Sequence, residues 1–170
     1  MSSMKIRKAT LEDIDNIMHM YNSCVSGMID EGINQWDSTY PNKQILLKDI
    51  KCSTYFVVEI NKEIIAGINI DKNQDKTYLS IKWYDKSNSF LVVHRLAVKK
   101  EYWNKKIGKK LMLFTEELVI NNKLNSIRLD TYSGNPKAIE FYSKLGYKNM
   151  GSIQLKINKE HYFCFEKIIS

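Results

Sequence analysis

The sequence predicts one α/β domain with helices packed against a mixed central sheet. Three observations carry this expectation. Segments with strand-like and helix-like apolar spacing follow in the order strand, helices, several strands, helix, strand, helix, strands. FLVVHRLAV at residues 90–98 is long, β-branched and apolar enough to be a central strand. No stretch rich in Pro, Gly or Ser divides the 170 residues, so a single domain over 1–170 is expected.

Each element has its own signal. Met4 to Ala9 reads as a first strand, and Thr10 with Asp13 resembles a capping box at a helix start. Ile14, Ile17, Met18, Tyr21 and Val25 then recur at helical spacing and define one apolar stripe. An irregular segment, DEGINQWDSTYP at 30–41, precedes a short helix expected around Lys43 to Ile50. TYFVVEI and IIAGINI flank Asn61-Lys62-Glu63 as two antiparallel strands joined by a tight turn. A polar stretch from Asp71 to Ser89, containing YLSIKWY, separates them from FLVVHRLAV. In the next helix Ile107, Leu111, Phe114 and Leu118 lie on one face, expected to be buried, and Asn121-Asn122-Lys123 ends it. SIRLDTY at 126–132 is a strand. NPKAIEFYSKLG at 135–146 is a helix with Asn135 as N-cap, Pro136 at its first position and Gly146 past its end. Strands around 148–157 and 161–169 close the order.

Composition narrows the function. Hydrophobic residues make up 44% and charged residues 26%, an ordinary globular balance, and no run of about 18 apolar residues exists to cross a membrane. The start, MSSMKIRKATLED, lacks the apolar core of a secretory signal, so a cytoplasmic location is expected. Cys24, Cys52 and Cys164 are widely spaced without CxxC pairing, which suggests neither a disulfide framework nor a zinc site, and no metal is expected. The net charge of +7 would suit nucleic acid, an acidic membrane surface or a phosphorylated small molecule. Six lysines fall between 99 and 110, in VKKEYWNKKIGKKL, and the clustering is local. A nucleic-acid partner would require a basic surface away from this loop, and none is expected.

That loop runs from a strand into a helix, whose start offers unpaired N–H groups and a positive dipole end. Gly108 near the entry would let a phosphate approach the backbone, and Lys105, Lys106 and Lys109 would add charge. The same residues also read as a solvated lysine-rich helix edge. Neither GxxxxGK[ST] nor GxGxxG is present, so nucleotide hydrolysis and dinucleotide redox chemistry lose support.

Taken together, HRLAVKKEYWNKKIGKKLM and RLDTYSGNPKAIEFYSKLGY resemble the two signature segments of the GNAT superfamily of acyl-CoA-dependent N-acetyltransferases. The likeness extends from IRKATLEDIDNI to the closing strands, so it covers nearly the whole chain. It implies a mostly antiparallel mixed sheet in a single N-acetyltransferase domain. It also implies acetyl-CoA as co-substrate and transfer of an acetyl group to a primary amine of a small molecule or peptide in a ternary complex. A regulatory module that binds acetyl-CoA without turnover is the alternative. The family loop usually reads Q/R-x-x-G-x-G/A, which places Trp103 at Q/R, Lys106 at the first glycine and Gly108 at the second. Only Gly108 is kept, and the backbone N–H of Lys106 still serves provided that position does not need a positive φ.

The resemblance assigns roles. Leu96, Ala97 and Val98 would bond the pantetheine arm through their backbone. Trp103, Asn104, Lys105, Lys106, Ile107, Gly108 and Lys109 would hold the pyrophosphate. Asn135 would contact the cofactor from the mouth of the next helix. Acyl transfer needs a neutral amine, a polarised carbonyl and a proton for the departing thiolate. Periodicity alone would make Tyr142 a core aromatic, and the match to "N..A..FY" makes it the general acid beside the thioester. HRLAV resembles the HxLAV segment of arylalkylamine acetyltransferases, which makes His94 either a base for the amine or a hydrogen-bonded structural histidine. Strand alternation places Val92, His94 and Leu96 on one face and Arg95 with Ala97 on the other. Trp36, Tyr40 and Trp83 would line an acceptor pocket with Glu31 pairing with an ammonium, or would serve only the core and the surface. The closing strand HYFCFEKII is either an edge that pairs with a second copy into a homodimer or is covered internally.

Overall fold

The structure, a computed structural model, describes residues 3–155 and 160–170. The end of the strand expected over 148–157, at residues 156 and 157, lies outside the described residues. The elements follow as β1 (Met4–Lys8), α1 (Ile14–Asp30), α2 (Lys43–Lys51), β2 (Tyr55–Ile60), β3 (Glu63–Asp71), β4 (Phe90–Val98), α3 (Ile107–Asn121), β5 (Ser126–Tyr132), α4 (Pro136–Lys144), β6 (Lys148–Ile153) and β7 (Tyr162–Ile168). They form a seven-stranded sheet ordered β1-β2-β3-β4-β5-β7-β6. β4 and β5 run parallel, whereas β1–β2, β2–β3, β5–β7 and β6–β7 pair antiparallel. Parallel neighbours require a crossover, and α3 supplies it between β4 and β5. No helix among the described residues is long and apolar enough to cross a membrane.

The chain divides into two compact units, one of Met1–Ile70 with Arg95–Met112 and one of Asp71–His94 with Leu113–Ser170. In the first, the expected cap is present: the Asp13 carboxylate accepts the Thr10 N–H at 2.7 Å. The same carboxylate takes two bonds from Arg7, at 2.7 and 2.9 Å, and Arg7 reaches Glu59 at 2.6 Å, so one guanidinium joins β1, the helix start and β2. That bonding to Arg7 holds the Asp13 carboxyl below the usual carboxylate range. Along α1 the expected Ile14, Ile17, Tyr21 and Val25 are buried, Met18 is half-buried, and Met20, Cys24 and Met28 widen the buried face. Ile64 to Ile70 of β3 are buried without alternation, as in a strand covered on both faces. The turn before it consists of Asn61 and Lys62, both left-handed at φ 51° and 66°, a pair that matches the twist of the flanking strands. Glu63, expected in the turn, opens β3 instead.

In the second unit β7 lies between β5 and β6, in register from Ser126↔Ile168 to Tyr132↔Tyr162 on one side and paired from Lys148↔Glu166 to Ile153↔Tyr162 on the other, with a register shift between Asn149 and Gly151. Internal cover is therefore the arrangement realised for HYFCFEKII, and the strand offers no free edge for a second copy. The segment from Asp71 to Ser89 carries a short 3₁₀ stretch, Lys76–Ser80, and is fastened by β5 and β7. The Arg128 guanidinium lies 4.5 Å from the Trp83 ring centre and 4.0 Å from that of Phe90, and donates to the Asp85 carbonyl at 2.8 Å. Glu166 accepts the Tyr84 N–H at 2.8 Å, and Asp85 accepts the Ser126 hydroxyl at 2.6 Å. Along α3 the buried side is Ile107, Leu111, Met112, Thr115 and Val119, so the face is turned slightly from the one expected, with Phe114 and Leu118 half-buried.

The three cysteines are free thiols. Burial pushes the Cys24 thiol up to about 11 and Cys164 to about 12, which keeps both protonated and unreactive, whereas Cys52 is exposed. A disulfide reagent applied to the native protein should therefore modify Cys52 rapidly and the other two only after denaturant is added. Mass spectrometry of the labelled peptides checks this.

Candidate active site

β4 changes character at Arg95, whose backbone is left-handed at φ 55° within a strand. For a non-glycine residue this costs on the order of 1 kcal/mol and needs support from its surroundings. Arg95 Nε and Nη2 donate to Asp49 Oδ2 at 2.9 and 2.6 Å, with both side chains buried or nearly so, and Nη1 donates to the Tyr40 hydroxyl at 3.3 Å. Its carbonyl accepts the hydroxyl of Tyr21, which in turn accepts the Tyr55 hydroxyl at 2.8 Å. A left-handed residue interrupts the alternation of a strand, so the expected shared face of His94 and Leu96 does not extend across it.

Beyond this point Ala97 is buried and Leu96 and Val98 are half-buried. Lys99 N–H donates to the Ile65 carbonyl at 2.7 Å, and a single 3₁₀ turn, Lys100–Tyr102, leads into the lysine loop. Trp103 is an anchor: its indole N–H donates to the Val98 carbonyl at 2.7 Å, and its ring lies against Gly27 of α1. A Cβ at Gly27 would stand 2.7 Å from the ring edge, so only glycine lets the loop come this close. The lysines sort into two groups. Lys99 pairs with Glu63 and Lys100 with Asp30, each at 2.6 Å. Lys106, Lys109 and Lys110 are exposed with no ion-pair partner among the described residues, and Lys105 lies 4.9 Å from the Tyr102 ring centre. Asn104 and Lys106 are both left-handed, at φ 61° and 63°, directly before α3 begins at Ile107. The condition placed on Lys106 is thus not met: the position does adopt positive φ, and a lysine occupies it. Alternating left-handed residues ahead of a helix turn successive N–H groups toward one point, which is a concavity for anions.

The second unit holds His94 and Tyr142, the residues expected to act as base and acid. His94 Nε2 lies 2.9 Å from Asp71 Oδ1, with both side chains mostly buried. A carboxylate on Nε2 favours the tautomer with its proton there, leaving Nδ1 as the open nitrogen. Asn135 caps α4 by accepting the Ala138 N–H at 3.1 Å, and Gly146 follows the helix at φ 90°, as expected. Tyr142 is the buried member of the stripe, and Ala138, Phe141 and Leu145 are half-buried. Its ring packs on Phe141, Tyr147 and Phe165, and its hydroxyl has no hydrogen-bond partner among the described residues. Burial first and the charge of Asp130 second hold this phenol well above its usual range, so it stays protonated and able to donate.

Of the residues expected around an acceptor, Glu31 is exposed at the C-terminus of α1. Trp36 packs edge-on to Tyr21 with centroids 5.8 Å apart, and Tyr40 supports Arg95. Trp83 belongs to the second unit, where it is buried and donates its indole N–H to the Tyr78 carbonyl at 3.0 Å. Trp36, half-buried, and Trp83, buried, each pack against a tyrosine of their own unit. Sequence reasoning missed Asp49, Asp71, Tyr78 and Asp130. The last had a signal, because Arg128 and Asp130 place two charges at strand spacing inside an otherwise apolar segment.

A seven-stranded mixed sheet with β4 parallel to β5, a lysine-rich loop leading into α3 and a buried tyrosine on α4 are the features of an acyl-group transferase fold. Residues 14–147 match the model of the Acetyltransferase (GNAT) family, and the chain belongs to that family. It is 27% identical over 154 residues to the spermidine N(1)-acetyltransferase of Thermoplasma acidophilum, covering 86% of this chain and 89% of that protein. Among solved structures, a GNAT-family acetyltransferase of Streptococcus agalactiae has a TM-score of 0.83 at 24% identity, covering 97% and 95% of the two chains. A PaiA N-acetyltransferase of Thermoplasma acidophilum, solved in complex with coenzyme A, has a TM-score of 0.71 at 22% identity, covering 98% and 99%. These two likenesses establish the fold.

Replacing Gly27 with Ala should destabilise the protein by about 1–3 kcal/mol, the usual cost of overpacking a filled contact. Because the neighbour that must give way is Trp103, intrinsic fluorescence should shift together with the melting temperature.

Proposed function

We propose that this protein transfers the acetyl group of acetyl-CoA to a primary amine of a small molecule or peptide, by direct attack within a ternary complex. The observation that carries the proposal is the backbone of Lys106, which is left-handed at the position where the family pattern has its first glycine, a conformation glycine adopts readily. The loop therefore keeps an anion-binding shape despite its departure from the family pattern, and Lys105, Lys106 and Lys109 are exposed beside it. The backbone from Trp103 to Lys109 would hold the pyrophosphate. Leu96, Ala97 and Val98 would carry the pantetheine arm, and Asn135 would meet the cofactor from the mouth of α4. The coenzyme A complex of the structurally similar PaiA enzyme supports an acyl-CoA donor, and the spermidine enzyme among the relatives supports a small-molecule amine.

In this reading His94 accepts a proton from the amine at Nδ1 while Asp71 fixes its ring through Nε2. The neutral amine attacks the thioester carbonyl, and Tyr142 protonates the departing thiolate. Glu31, Trp36, Tyr40 and Trp83 remain assigned to the acceptor side, with Trp36 and Trp83 acting there through the segments they anchor.

Calorimetric titration should show micromolar binding of acetyl-CoA, comparable binding of CoA and much weaker binding of ATP. Absence of acetyl-CoA binding by a folded sample would overturn the proposal. Lys106→Pro should abolish that binding, since proline can neither adopt positive φ nor donate an N–H, whereas Lys106→Gly should preserve it. Tyr142→Phe should lower turnover about 100-fold, the usual scale for loss of a positioned acid, with acetyl-CoA affinity unchanged. A full rate in that variant would remove Tyr142 from the chemistry.

A further inference from the structure

We propose that Asp130 is the carboxylate that binds the acceptor's ammonium group, and that the acceptor is a cationic amine held between Asp130 and His94 where β4 and β5 part. The inference rests on the proposed function above and adds to it the residue and the charge of the substrate. The parallel ladder between β4 and β5 runs from Phe90↔Ser126 to Val93↔Leu129. The next residue on β4 is His94 and the next on β5 is Asp130, so these two positions flank the opening where the ladder ends.

Both present an unused polar atom. Asp130 Oδ2 accepts the Tyr78 hydroxyl from the segment over β5, while Oδ1 has no hydrogen-bond partner among the described residues. His94 is bonded through Nε2 to Asp71, and its Nδ1 likewise has none. Asp130 is half-buried, so Oδ1 is open to accept from a donor that enters the site. Burial and Asp75 raise the Asp130 carboxyl above its usual range, and Tyr78 and His94 oppose them. Tyr142 and Cys164 feel its charge in turn. None of these neighbours is a permanent cation, and Arg128, two residues away, is engaged by Gln74, Asp85, Trp83 and Phe90. An ammonium supplies the missing positive charge together with the missing donor.

The proton balance closes. The bound ammonium gives one proton to His94 Nδ1, and the freed lone pair forms the C–N bond at the thioester carbonyl. The C–S bond breaks, and the thiolate takes the Tyr142 proton. The nitrogen loses a second proton as the amide forms, which restores the phenol through solvent, and His94 releases its proton to solvent.

The test measures thiol release from acetyl-CoA with 1,4-diaminobutane, a dication near neutral pH, and with hydroxylamine, which is uncharged there. Acetyl-CoA binding is followed by calorimetry. Asp130→Asn keeps an acceptor for Tyr78 and removes only the charge. It should lower kcat/KM for 1,4-diaminobutane about 100-fold while the hydroxylamine rate and acetyl-CoA affinity stay within about threefold. Asp130→Glu should recover part of the loss. Should Asp130→Asn fail to fold, Tyr78→Phe, which releases Asp130 Oδ2, should raise KM for the diamine about tenfold and leave hydroxylamine unaffected. Equal losses with both acceptors, or none with either, would overturn the proposal. So would a wild type that binds acetyl-CoA yet releases no thiol with 1,4-diaminobutane or benzylamine. A wild type that binds no acetyl-CoA overturns the proposed function and this inference with it.

Discussion

The buried pairing of Arg95 with Asp49 is the contact on which the arrangement of β4 depends. A left-handed arginine in mid-strand persists only because side chain and backbone are both fixed, the one by Asp49 and Tyr40 and the other by Tyr21. Removing one partner of such a pair leaves a charge without compensation, at a cost of about 3–5 kcal/mol, so the pair constrains more than it stabilises. The constraint divides β4 into two parts. Before Arg95 the strand is a regular parallel neighbour of β5, and after it the strand leads into Trp103 and the lysine loop.

The loop departs from the family pattern at Lys106 and holds a left-handed backbone there. Gly27 and Trp103 fix where the loop sits against α1, and the Lys100 N–H bond to Ser23 Oγ at 3.0 Å fixes how it starts. With both ends set, Lys106 has little freedom left, and the strain of a left-handed lysine is shared by packing elsewhere. Lysine also places a charge where glycine has none.

The order of elements was legible because each had a local cause: alternation in SIRLDTY, a capped helix from Asn135 to Gly146, an unbroken apolar run in IIAGINI. The GNAT likeness was legible in two motifs. What was not legible came from contacts distant in sequence. Asp71 meets His94 across 23 positions and Tyr78 meets Asp130 across 52. A period-two reading also cannot foresee a left-handed Arg95, since its cause, Asp49, lies 46 positions away on another element. The covered position of β7 likewise depended on β6 returning beside it rather than beside β5.

That placement of β7 sets the order of sheet completion against the order of synthesis. β6 precedes β7 in the chain, yet its neighbour in the sheet is β7, which also completes β5. Until residues 162–168 have left the ribosome, β5 has one unpaired edge and β6 has no partner. The second unit, which holds His94 and Tyr142, therefore acquires its fold in a late step, and a chain stalled before that strand carries the helices and the motifs of an acetyltransferase around an unfinished sheet.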